Sequence, residues 1–170
     1  MVEFKSHIIR IPNQVWYAAI LVPGEIGSQV INKDNRRVVC TINNQLTFQC
    51  ALMPGGEGNF FINTNKEIRK KLKLEIGDSV EVLLKPDNSE YGMPVCEELL
   101  SAWEIDEHGY ILFKKLTLGK QRSLIHIVGK PKSSEIRIKK ALVMLEYLKS
   151  VDGKLDFKEL NEAFKQANKK

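Results

Sequence analysis

Residues 62–84, INTNKEIRKKLKLEIGDSVEVLL, decide the reading of the fold. A strand edge, a short helix over NKEIRKKL, a turn and an alternating strand follow one another in a single run. In the last part, Val80, Val82 and Leu84 share one face and Ser79, Glu81 and Leu83 the other, the period of a half-buried β-strand. Gly77–Asp78 makes the turn, where glycine takes a positive φ at little cost. The stretch is also basic. Lys66, Arg69, Lys70, Lys71 and Lys73 could meet phosphate, but Glu67, Glu75, Asp78 and Glu81 offset most of that charge, so a solvated face explains the same residues.

The texture recurs at a constant offset of 42 residues. Ile20 falls on Ile62, Glu25–Ile26 on Glu67–Ile68, Val30 on Leu72, and Val38, Cys40 and Ile42 on Val80, Val82 and Leu84. Two amphipathic β-α-β segments can also agree by chance. A true duplication would let one chain build what a dimeric barrel assembles from two, around a pseudo-twofold axis.

Between the copies, RVVCTI and LTFQCALM flank Asn43–Asn44–Gln45, a hairpin signal. A three-residue connection pairs Ile42 with Leu46, Cys40 with Phe48 and Val38 with Cys50, gathering the apolar residues on one face. A two-residue turn would set that face against Gln45, Thr47 and Gln49. Cys40 and Cys50 then become diagonal neighbours at roughly 7–8 Å, too far for an undistorted disulfide. The segment MPGGEGN reads as a loop before FFIN. Upstream, the apolar run VWYAAILV over 15–22 reads as a strand, with Trp16, Tyr17, Phe60 and Phe61 either barrel core or a base-stacking platform.

After Pro86–Asp87–Asn88–Ser89 the pattern turns helical. Short helices are expected over 95–103, 106–116 and 119–128. A longer one over 134–149 carries a stripe of Ile138, Leu142, Leu145 and Leu148 and is capped by Ser133 or Ser134. A last helix over 156–167 starts at Asp156 and aligns Phe157, Leu160, Phe164 and Ala167. The predicted architecture is α+β: a small double-split-like β-barrel with an internal pseudo-twofold repeat over 1–90, then a helical domain over 91–170.

Composition bounds the class. The 170 residues are 43% hydrophobic and 28% charged, as in ordinary globular chains. No apolar run approaches the roughly 20 residues that span a bilayer. The N-terminus has no long apolar signal core, and the three cysteines include no CxxC pair, which together favour the cytoplasm. Charge is uneven. The chain carries +5 overall, of which residues 1–92 hold +1 and residues 93–170 hold +4. Within the second half, residues 114–140 place nine Lys or Arg against Glu135 alone, a local +8. This run reads either as an anion-binding face for nucleic acid, lipid or an acidic partner, or as a helical surface neutralised by Glu97, Glu98, Glu104, Asp106 and Glu107. For the first reading the residues singled out are Arg122, Lys130, Lys132 and Arg137, with Lys66, Arg69 and Lys70 as secondary candidates.

Catalytic patterns are missing. No Lys-Ser or Lys-Thr follows the glycines of MPGGEGN, so no nucleotide loop is read there. His7, His108 and His126 are scattered, and no metal set is predicted. In LKSVDGKLDFKE (148–159), Leu148 occupies the first position of a calcium loop where Asp is required, so a turn at Asp152–Gly153 before a capped helix fits better. Ser28, Ser101 and Ser123 lack a GxSxG context. Cys40 and Cys50 face the expected core, and Cys96 precedes Glu97–Glu98, which disfavour its thiolate. No cofactor is expected.

Two family resemblances cover nearly the whole chain. Residues 4–90, through Trp16, VPGEI, CTINNQLTFQCALMPGGEGNFFIN and NKEIRKKLKLEIGDSVEV, resemble the β-barrel family catalogued as domain of unknown function 1905. Residues 95–167, through LTLGKQR and VGKPKSSEIRIKKALVMLEYL, resemble the helical family named for bacteriocin protection and for the YdeI or OmpD-associated (OmdA) proteins. That family usually has two arginines before its long helix; here Arg137 matches one, and Ser134 stands at the other. More locally, NKEIRKKLKLEIGDSVEV is similar to the core of the AbrB and MazE antitoxin barrels, which bind DNA as dimers. Ile62, Ile68, Leu72, Leu74, Ile76, Val80 and Val82 are the positions such a barrel buries. The lack of a metal set, triad or cofactor loop leads to the expectation of a non-catalytic binding protein, and the resemblances imply a bacterial one linked to bacteriocin protection or stress. Nucleic-acid binding through the barrel or the helices is the alternative, and an enzyme with a dispersed site a further one.

Overall fold

A computed structural model describes residues 1–11 and 18–169. Trp16 and Tyr17, and with them the choice between core and stacking platform at those positions, lie outside the described residues. The chain divides into two compact units, Met1–Met93 and Pro94–Lys170.

The first unit is a curled antiparallel sheet of seven strands with two short helices. The strands are β1 (Val2–Arg10), β2 (Ala18–Val22), β3 (Arg37–Ile42), β4 (Leu46–Ala51), β5 (Met53–Gly56), β6 (Asn59–Thr64) and β7 (Ser79–Pro86). Helix α1 (Gly24–Gly27) follows β2, and α2 (Lys66–Leu72) follows β6. The strand order is β4-β3-β7-β1-β2-β6-β5. The strands at the two edges, β4 and β5, are separated in the chain by Leu52 alone, so one extended run serves both edges and the sheet must curl.

Alternation builds the core. Ile8, Ile20, Val38, Cys40, Ile42, Leu52, Ile62, Val80, Val82 and Leu84 are all buried on the concave face. The β3–β4 hairpin adopts the expected register, Ile42 opposite Leu46, Cys40 opposite Phe48 and Val38 opposite Cys50. Asn43 and Asn44, both at positive φ, supply its turn, a conformation asparagine tolerates. Strand β2 pairs with β6, placing Ile20 opposite Ile62, and β3 pairs with β7, placing Thr41 opposite Leu83. The segment MPGGEGN is not all loop: Met53–Gly56 forms β5, and the turn is confined to Glu57–Gly58, where both φ angles are positive. Gly27 is required by packing, since a Cβ there would lie 2.4 Å from the ring of Phe60.

The second unit is helical: α3 (Glu97–Ile105), α4 (Glu107–Lys115), α5 (Leu118–Gly129), α6 (Ser134–Ser150) and α7 (Phe157–Ala167). Ser133 caps α6 through Ile136 N–H, and Asp156 caps α7 through the N–H groups of Lys158 and Glu159. The turn before α7 sits at Asp152 and Gly153, both at positive φ. The expected stripe on α6 divides. Leu145 and Leu148 are fully buried with Ala141 and Met144, whereas Ile138 and Leu142 are 46% and 47% exposed. Helical spacing aligns residues on a face but does not say how far along the helix a neighbour covers it.

Candidate anion-binding site

The two sets of basic residues singled out from the sequence occupy different surroundings. On the first unit, α2 is opened by Asn65, whose side chain accepts the Ile68 N–H at 2.8 Å. Ile68, Leu72 and Leu74 pack against the core. This fixes the opposite face toward solvent. Lys66, Arg69, Lys70 and Lys73 recur there at the i, i+3, i+4, i+7 spacing of one helix face. They line a concavity of about 490 Å³ together with Leu74, Glu75 and Ile76.

None of these four cations forms a salt bridge with a described residue. The Arg69 Nε is buried and makes no hydrogen bond. Glu75 is the single carboxylate in the lining. Lys73 was part of the basic stretch but not among the residues singled out; its spacing from Lys66 and Lys70 is the signal that recovers it. It ends α2 in the left-handed region, at φ 53°, with the Leu74 N–H closing on the Arg69 carbonyl at 2.9 Å. Glycine normally holds such a position, and a side chain there costs about 1 kcal/mol.

On the second unit, Arg122, Lys130, Lys132 and Arg137 differ in what they are bonded to. Arg137 is committed. Its guanidinium forms a two-pronged bond to Glu98, at 2.9 Å from Nε and 2.6 Å from Nη2. Its Nη1 donates to the carbonyls of Pro131 and Lys132, fastening the α5–α6 connection. Arg137 with Ser134 holds the Glu98 carboxyl well below the usual carboxylate range, and Glu98 in turn raises Arg137. Arg122 is half-buried on α5 and has a partner. Lys140 donates to the Ile127 carbonyl and lies 5.2 Å over the Phe164 ring. Lys130 and Lys132 remain exposed.

The nucleophile candidates are quiet. The Cys50 thiol beside Cys40, reinforced by burial, pushes the Cys40 thiol far up, and burial raises Cys96. Among the described residues no three His, Cys, Asp or Glu side chains are grouped to hold a metal, and no helix is long and apolar enough to cross a membrane.

The first unit therefore defines a curled antiparallel sheet that presents one basic helix face. Residues 4–84 match the family described as Domain of unknown function (DUF1905). The match runs from β1 to within β7 and includes α2. No match was found among curated proteins or among solved structures.

Proposed function

We propose that this chain is a non-catalytic binding protein whose ligand is an anion held at the α2 concavity. The observation that carries the reading is the convergence of Lys66, Arg69, Lys70 and Lys73, none of them neutralised by a described side chain. A functional site explains why a left-handed position is given to lysine rather than glycine: local backbone strain is retained where it places a useful group. Titration of the full chain with inorganic tripolyphosphate tests this. Wild type binds and Lys66→Ala/Arg69→Ala does not; absence of binding by wild type removes the reading.

The scaffold we infer is an internally duplicated barrel. Ile20 against Ile62 and Thr41 against Leu83 pair each strand with the residue 42 positions on, as an axis between two copies requires. The relation extends to β1. Val2, Phe4, Ser6 and Ile8 correspond to Leu46, Phe48, Cys50 and Leu52, now 44 residues on. Strand β1 pairs with β7 and β2 just as the run through β4 and β5 pairs with β3 and β6. We place the protein in the cytoplasm on its free cysteines, and the tie to bacteriocin protection and stress rests on the resemblance of residues 95–167 alone.

A further inference from the structure

We propose that the α2 concavity binds the phosphodiester backbone of duplex nucleic acid, along Lys66, Lys70 and Lys73 with Arg69 as the anchor, without reading sequence. This rests on the anion-binding reading above and names the ligand of that same site.

Three features select this class. First, the site is open: Lys66, Lys70, Lys73 and Glu75 are exposed, and Ile76 is 46% exposed. A small phosphorylated molecule is normally held in a pocket that buries most of its surface, whereas the described residues that line this one leave its lysines exposed. Second, the cations are laid out in a line. From Lys66 to Lys73 the helix rise spans about 10 Å, roughly three phosphate-to-phosphate steps along the axis of one strand. Third, the lining holds no aromatic ring and no Asn or Gln. Stacking platforms are how single strands are gripped, so their absence from the lining favours a duplex, whose phosphates are the first groups a row of lysines meets. Arg69 differs from the lysines in being half-buried, with an Nε that is out of solvent and makes no hydrogen bond, so it brings to the concavity a donor that still lacks an acceptor.

Four contacts predict a log–log salt slope of about −3.6, hence roughly a 150-fold loss of affinity between about 50 and 200 mM salt. Fluorescence anisotropy of the full chain with a labelled duplex DNA of mixed sequence, and one of unrelated sequence, measures this. Equal binding to both duplexes with that slope supports the proposal, as does a flattened slope and lost affinity in Lys66→Ala/Lys70→Ala/Lys73→Ala. All three are exposed lysines, so thermal melting should show the triple variant folded. Were it not, the single Lys70→Glu provides the same readout. Binding of tripolyphosphate without binding of either duplex overturns the nucleic-acid assignment and leaves the anion site standing. Binding of neither sinks both. Loss of duplex binding in Lys120→Ala/Lys130→Ala/Lys132→Ala, with the α2 variant unchanged, moves the site to the second unit and overturns the proposal.

Discussion

The positive charges on α2 and those over residues 114–140 differ in what they already do. The longer run carries the larger net charge, yet Arg137 is locked to Glu98, Arg122 is partnered, and Lys140 reaches the Ile127 carbonyl and the Phe164 ring. Arg137 and Lys140 thus tie helices to one another, and the exposed Lys130 and Lys132 are the part of the run left to solvent. On α2 the count is smaller and the barrel half is nearly neutral, but Lys66, Arg69, Lys70 and Lys73 face one concavity with no described salt-bridge partner. Net charge along a chain measures supply. What a surface offers to a ligand is the charge left over once internal pairing is complete.

Arg137→Ala should separate the two regions most sharply. It removes both prongs to Glu98 and both bonds to the α5–α6 connection, stranding a carboxylate that is only 11% exposed. The expected outcome is a melting temperature several degrees lower, with binding of duplex or tripolyphosphate unaltered. Reduced binding in a variant still folded at the assay temperature would put Arg137 back in the site.

Lys73→Gly comes next, and here two readouts should move in opposite directions. Relief of the left-handed lysine raises stability by about 1 kcal/mol, measured by urea denaturation. Removal of one phosphate contact lowers duplex affinity several-fold at low salt. A variant that gains stability and keeps full affinity would show that Lys73 contributes nothing to binding.

The smallest effect is a pH dependence confined to the second unit. Glu98 titrates below its ordinary value, so its contribution is present above the unfolded carboxylate pKa of about 4.3 and fades as pH falls through the lowered folded value. The difference in melting temperature between wild type and Glu98→Gln should hold steady from neutral pH down to about 5 and narrow below about 4. A difference independent of pH would mean that the pair stabilises through packing rather than charge.

The legibility of these features follows from the distance over which each is decided. The β3–β4 register could be read because Val38, Cys40, Ile42, Leu46, Phe48 and Cys50 allow only one pairing that buries them together. The ends of α2, α6 and α7 were visible because Asn65, Ser133 and Asp156 act within three residues of themselves. Strand β1 was not singled out. Its alternation places Ser6 at an inward position, where the hydroxyl is satisfied by the Leu21 carbonyl at 2.7 Å, a contact that no local pattern announces. In the duplication we infer, its offset is 44 rather than 42, so the constant spacing of the other segments does not reach it. The pairing of Arg137 with Glu98 spans 39 residues, and the exposure of Ile138 and Leu142 depends on which helices lie alongside. Local sequence therefore indicated α2 as a basic helix, but only the fold showed that four of its cations line one concavity without a salt bridge to a described residue.

The run through Leu52 has a consequence for solubility. A sheet ordinarily ends in two rows of unpaired N–H and C=O groups, which invite another chain to add a strand. Here Leu46–Gly56 supplies the strand at both ends, and the Leu52 N–H donates to the Arg36 carbonyl at 2.9 Å, extending the β3–β4 ladder up to the point where pairing passes to β6. A backbone cut at Leu52 would free the two borders from one another, leaving β4 held by β3 and β5 held by β6. Covalent continuity at a single buried leucine is thus a safeguard against aggregation as well as a link in the fold.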